Sequence, residues 1–203
     1  RRYTFGYCNT SKGLIKKFIE DVNKVYGIKH AKITERINNV YNEKIGYVVR
    51  YSCRAAIEDL LRYTSFREGE EKLPKQIMNS KNKKLKIEFL RCFWDDEGMV
   101  GFSEVKDKNG YVHVHRFIEA YQKNTDFLKQ IKELHEMLDI EPYLHSNNKI
   151  KISKKESLKR FSDIINFSSE AIICRTTAKH YNMRKRDLLK LAIESYSNEK
   201  SLH

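Results

Sequence analysis

Long apolar runs are missing from this 203-residue sequence. No stretch approaches the roughly 20 apolar residues of a bilayer-spanning helix, so the reading excludes a membrane-spanning protein. The first residues show no basic segment leading into an apolar one and a small-residue cleavage site, so no secretory signal is read there and a cytoplasmic setting is expected. Cysteine is scarce: Cys8, Cys53, Cys92 and Cys174 lie far apart, with no C-x-x-C pair and no histidines at ligand spacing. That argues against structural zinc or a disulfide framework and for small buried thiols in a reducing compartment. Only two prolines occur, Pro74 and Pro142, which together with abundant Lys and Tyr fits an AT-rich, archaeal source.

Acidic residues are also in deficit. Forty Lys and Arg stand against 27 Asp and Glu, leaving a formal charge of +13. An excess of that size on one domain is the electrostatic footprint of a polyanion binder. A membrane surface is the competing partner, but no basic amphipathic helix with a Trp- and Phe-rich face is present, so nucleic acid is favoured.

Two segments repeat. Residues 8–28, CNTSKGLIKKFIEDVNKVYGI, align with 121–140, YQKNTDFLKQIKELHEMLDI, pairing Asn9 with Gln122, Leu14 with Phe127, Ile15 with Leu128 and Phe18 with Ile131. Each reads as a strand end, a polar cap and an amphipathic helix. Further on, YSCRAAIEDL (51–60) aligns with ISKKESLKRF (152–161), and Ser153 with Glu156 has the spacing of a capping box. Between the helices lie strand pairs: AKITERI (31–37) with GYVVRY (46–51), and VGFSEVK joined by the turn signal DKNG (107–110) to YVHVHRFIEAYQ. Alternation along these strands implies a sheet with one face on helices and the other open. The open face would carry Lys32, Thr34, Arg36, Tyr111, His113 and His115, either as a solvated surface or as groups reading a groove. The polar stretch 66–82, with Pro74, reads as a linker.

The second copy therefore reads helix, strand, strand, helix, strand, strand, helix. Leu85 precedes Gln122 by 37 residues but only eight residues precede Asn9, so on this alignment about 29 residues of the first copy, a helix and a strand, are not in the sequence. The helix that opens the second copy ends oddly. In FLRCFWDDEGMVGF (89–102), Asp95, Asp96 and Glu97 stand immediately before Gly98, at the negative end of a helix dipole where lysines are the usual choice. Something positive that is not a side chain is expected at that spot.

LRCFWDDEG (90–98) resembles the motif of the LAGLIDADG homing endonucleases, of the single-chain, two-repeat type. Leu90 stands for the motif leucine, Cys92 for its first glycine, Asp95 for the first aspartate, Glu97 for the final acid and Gly98 for the last glycine. Asp96 departs from the small residue usual there, and no first motif is found. Three readings stand open: the upstream helix lies outside this sequence, another chain supplies it, or cleavage has been lost.

The resemblance covers residues 1 to about 166. It implies an α+β fold of two pseudo-symmetric αββαββα repeats forming an antiparallel DNA-binding saddle, the first truncated at its N-terminus. The expected divisions are 1–65, the linker 66–82, 83–166, and a basic helical extension over 167–203. It further implies a monomer, completed by an upstream segment, that cleaves double-stranded DNA and is encoded in an intron. In such an enzyme Mg²⁺ or Mn²⁺ is held at Glu97 and Gly98, and 5′-phosphate and 3′-hydroxyl ends are left; a catalytically inactive binder of nucleic acid, an RNA maturase or a regulator, is the alternative.

Glu97 is the expected catalytic residue. Candidates for DNA contact are Lys32, Thr34, Arg36, Arg50, Tyr111, His113, His115, Gln122 and Lys151. Asn9, Asp95 and Asp96 are candidate supports, and a catalytic lysine is sought among Lys149, Lys151, Lys154 and Lys155. In the basic stretch 175–196, Leu188, Leu189 and Leu191 are expected to face the body.

Overall fold

A computed structural model describes residues 3–29, 32–38, 44–65, 70–145, 148–174 and 178–198. Of the segments read above, Ala31 and residues 66–69 and 175–177 lie outside the described residues, as does the side chain of Ile37. The first unit runs β1 (Phe5–Asn9), α1 (Lys12–Tyr26), β2 (Ile33–Asn38), β3 (Lys44–Tyr51) and α2 (Arg54–Leu60). After a short helix α3 (Lys75–Met78) come α4 (Lys83–Glu97), β4 (Gly98–Lys106), β5 (Val112–Tyr121), α5 (Thr125–Glu136), β6 (Tyr143–His145), β7 (Lys149–Ile152) and α6 (Lys155–Ile164). A final helix, α7, spans Lys185–Asn198.

Local chemistry accounts for the boundaries. Ser11 caps α1 by accepting the Leu14 N–H, and Gly27 ends it at φ 69°, where a side chain would be strained. Asn82 and Asn124 cap α4 and α5 in the same manner. In the β4–β5 turn the Asp107 carboxylate accepts the N–H groups of Asn109 and Tyr111, and Gly110 sits at φ 86°. The capping box expected at Ser153 and Glu156 does not form. Lys154 is the N-cap of α6 and its side chain makes no capping bond, while Ser153 lies one position too early to reach the first turn.

All strands pair antiparallel, in two sheets of order β1-β3-β2 and β4-β5-β7-β6. The repeat is visible in the register. Phe5 faces Tyr51 across β1 and β3, and Ile118 faces Ile152 across β5 and β7. Tyr51 and Ile152 are equated by the second alignment, and Phe5 and Ile118 lie three residues before the start of the first, at the same offset. The three-stranded sheet has no counterpart of α4 and β4 among the described residues. Each sheet buries one face on helices: Ile15 and Val22 of α1 against Val49 and Tyr51, and α4, α5 and α6 against Ile118, Ile150 and Ile152.

Residues 70–82 are not an open tether. Leu73 is buried and its N–H donates to the Gln130 side chain, while Asn124 donates to the Glu71 carbonyl. α7 lies on the inner face of β4 and beside α6, burying Leu188, Leu189 and Ala192. Leu191, expected to pack with them, is 43% exposed, because it is turned about 160° around the helix from Leu189 and about 100° from Ala192, past the edge of the buried stripe.

Behind α4, Trp94 and His135 are both fully buried. The indole N–H can only donate, so it assigns Nε2 of His135 as the acceptor at 2.9 Å, leaving Nδ1–H to donate to the Ile131 carbonyl at 2.7 Å. The imidazole is thus satisfied in its neutral form, and burial lowers its pKa to about 4. A depressed histidine pKa means that the unfolded chain takes up the proton first as pH falls. Its contribution is whole above about pH 6.5 and is lost between there and pH 4, a swing of roughly 3 kcal/mol. Urea titrations followed by the fluorescence of the single tryptophan should show that slope. His135→Phe, less stable at every pH because it strands the indole N–H, should flatten it.

Candidate functional site

α4 runs directly into β4 with no connecting loop. Gly98 is required there for space, since its φ is −78° and any residue could adopt that conformation. A Cβ at this position would lie 2.5 Å from the Trp94 carbonyl oxygen and 2.7 Å from its ring.

Successive residues on a helix point about 100° apart, so three consecutive acids cannot share one partner. Asp95 turns inward, is 6% exposed, and accepts the backbone N–H of Ser168 at 2.9 Å. Asp96 turns toward the first sheet, where it accepts the Tyr7 hydroxyl and the Asn9 amide, the latter at 3.1 Å. Asn9 also accepts the Ser11 N–H at 2.8 Å, so one side chain braces the start of α1 and the end of α4. Glu97 turns toward solvent and forms no hydrogen bond or ion pair with a described residue. Although Asp96 and Glu97 reach solvent on one side, the protein displaces enough water that burial is the leading cause raising all three carboxyl pKa values. Burial, then Asp96, likewise raises the Tyr7 hydroxyl, and burial lifts the Cys92 thiol to about 11.

The expectation that no side chain answers this charge is corrected. Lys185, the first residue of α7, is buried, and its ammonium donates to the Asp95 carbonyl at 2.7 Å and the Trp94 carbonyl at 3.4 Å. Burial lowers its pKa, opposed by the three nearby carboxylates. A cleft of about 620 Å³ opens here, lined by Asn9, Ser11, Asp95, Asp96, Gly98 and Lys185 with apolar walls from Leu14, Val100 and Ile173. Among the described residues no group of three or more His, Cys, Asp or Glu side chains is arranged to hold a metal ion.

The remaining candidates lie on the outer faces of the sheets. Thr34, Arg36 and Arg50 are exposed on the face of the first sheet away from α1, with Lys32 exposed just before β2. His113, His115 and Lys151 share the outer face of the second, on the pleat opposite Ile118 and Ile150. His113 lies 3.3 Å from Asp107, and the Lys151 ammonium sits 3.8 Å above the Phe117 ring. Tyr111 is 70% exposed at the hairpin tip. Gln122 follows β5 in the place that Asn9 takes at the end of β1, with its N–H on the Asn148 carbonyl. The four lysines sought for catalysis are engaged elsewhere: Lys149 with Glu119, Lys151 on Phe117, Lys154 with Glu141 and Lys155 over Tyr196.

No protein-family model and no curated protein sequence matches the chain. Solved structures do. The meganuclease I-SmaMI bound to uncleaveable DNA with a TTGT central four superposes at a TM-score of 0.53, with 10% identity over 97% of this chain and 80% of that one. The fold is the LAGLIDADG meganuclease fold. I-SmaMI bound to uncleaved target DNA with calcium ions gives a TM-score of 0.53 at 10% identity, over 97% of this chain and 81% of that one. Its complex with a TTCT central four gives 0.52 at 12%, over 98% and 85%.

Within this meganuclease fold, two residues beside the acids escaped sequence reasoning, Tyr7 and Lys185. Lys185 left one signal, a cation on the first turn of a helix, where the dipole disfavours it. Gly98→Ala should test the close approach at the α4–β4 junction. The new methyl cannot fit against a backbone carbonyl, and urea denaturation should show a loss of about 1–3 kcal/mol.

Proposed function

We propose that this chain is a site-specific endonuclease acting on double-stranded DNA with a divalent cation, with Glu97 as its catalytic carboxylate. The observation that carries the proposal is that Glu97, alone of the three acids, has no hydrogen-bond or ion-pair partner among the described residues, and that it stands at the foot of α4 in a chain of net charge +13. Comparison supports the direction: the meganuclease of like fold was captured on DNA, once with calcium ions.

The donor set fits a hard cation of the magnesium class. Mg²⁺ is held by one or two carboxylates together with substrate phosphates and water, not by a cage of protein ligands. One free carboxylate, an adjacent Gly98 and a solvent-open position match that sparse requirement, and the absence of a three-ligand cluster among the described residues is compatible with it. When bound, such an ion stabilises charge on a phosphoryl oxygen and acidifies a coordinated water.

The chain's own residues do the rest. Glu97 would hold the ion at the phosphate; Asp96, clamped by Tyr7 and Asn9, keeps the end of α4 against the first sheet; Asp95, on the Ser168 N–H, fixes the turn behind it. Lys32, Thr34, Arg36 and Arg50 on one sheet and Tyr111, His113, His115 and Lys151 on the other would meet the duplex. The alternating exposed side chains of such strands can reach base edges in a major groove, and the cations can meet phosphates. Gln122 and Asn9, at matched strand ends, would flank the scissile region.

A plasmid library carrying randomised cassettes tests the proposal. With Mg²⁺ the wild-type chain should nick or linearise a subset of plasmids, and Glu97→Gln should lower that rate by at least about 100-fold while leaving duplex binding intact, since metal-based charge stabilisation is worth several kcal/mol. Binding without strand breakage would leave a non-catalytic nucleic-acid-binding protein. In fluorescence anisotropy, contact with six to ten phosphates predicts a loss of affinity of about 10³ to 10⁵ between 50 and 200 mM salt. A flat response would contradict nucleic-acid binding of either kind.

A further inference from the structure

Two helix ends meet at the foot of α4, each carrying charge of the unfavourable sign. α4 brings Asp95, Asp96 and Glu97 to its negative C-terminus, and α7 brings Lys185 to its positive N-terminus. Placed against each other the two misfits cancel. How they cancel matters. Lys185 donates to main-chain carbonyls of α4, at 2.7 Å and 3.4 Å, and forms no ion pair with any of the three carboxylates. Its ammonium is further held over the Phe167 ring at 5.6 Å, and its own N–H donates to the Ala171 carbonyl at 2.9 Å. A lysine paired directly to Glu97 would occupy the carboxylate and exclude a metal ion. A lysine anchored on carbonyls lowers the local negative potential and leaves Glu97 free.

We propose that Lys185 is a positioning residue of the metal centre: its buried ammonium fastens α7 to the C-terminal carbonyls of α4, holds the carboxylate of Glu97 clear for a divalent cation, and weakens the site's grip on that cation. The inference rests on the reading of Glu97 given above. It makes α7 part of the centre, although the helix starts 88 positions beyond the motif acid.

The test separates binding from cleavage. Calcium uptake is measured by calorimetry on the full chain with a mixed-sequence duplex, and cleavage is measured on the plasmid library with Mg²⁺. Lys185→Met keeps the length of the side chain and removes its charge. Calcium should then bind about tenfold tighter, because a positive charge that acts on the three carboxylates, Glu97 included, has gone, while cleavage at saturating Mg²⁺ falls at least about tenfold. A merely structural lysine would weaken both together. Lys185→Arg, which keeps the charge and guards against a Met variant that does not fold, should hold calcium affinity within about threefold while cleavage drops. Unchanged or weaker calcium binding in Lys185→Met, or a tenfold weakening in Lys185→Arg, overturns the role of Lys185 alone. No calcium uptake by the wild-type chain overturns the reading of Glu97 and this inference with it.

Discussion

The foot of α4 is where the demands on this chain collide. Three carboxylates at the C-terminal end of a helix repel one another and the helix dipole, and the site persists because each is given a different environment. Asp95 is spent on the Ser168 N–H, Asp96 on Tyr7 and Asn9, and the end of the helix on the Lys185 ammonium. Of the three acids, only Glu97 is left without a partner among the described residues. The partners come from β1, from the turn after α6 and from the first residue of α7, so one helix end ties together elements from the whole length of the chain. Remove that convergence and the unpaired acid has no fixed position.

Around it the fold has a plain logic. Each sheet buries one face on helices and leaves the other open. On the second sheet the buried pleat carries Ile118, Ile150 and Ile152 and the open one His113, His115 and Lys151. Trp94 and the neutral His135 form a dry polar pair behind α4, and the ring of Trp94 in turn makes Gly98 obligatory by filling the space where a Cβ would go. The glycine that ends the helix is therefore set by packing and not by a left-handed turn.

Much of this was legible beforehand, and the reason is locality. The second alignment equates Tyr51 with Ile152, and the first, carried three residues back at the same offset, brings Phe5 to Ile118; these pair across equivalent strands, because a repeat preserves register when its helices and turns keep their lengths. The DKNG turn and the end of α4 depend on a few neighbouring residues and were readable for the same cause. What escaped depends on contacts far apart in sequence. Tyr7 lies 89 residues from Asp96, and Lys185 lies 90 from Asp95. The capping box at Ser153 failed because α6 starts one residue later than the motif requires, with Lys154 at the N-cap, and Leu191 failed because its turn around the helix takes it off the stripe of Leu188, Leu189 and Ala192. The expectation that a metal ion alone answers the acidic cluster was too simple: a lysine answers the helix end, and only in the proposed reading is Glu97 left for an ion.

The most direct measurement is crystallographic. Crystals of the full chain on duplex DNA, soaked with Mn²⁺ and recorded at the manganese absorption edge, should show an anomalous peak within ligand distance of the Glu97 carboxylate and a backbone phosphate oxygen, with the Lys185 ammonium still on the carbonyls of α4. A duplex bound with no ion at Glu97, or Lys185 swung over to pair with that carboxylate, would contradict the account.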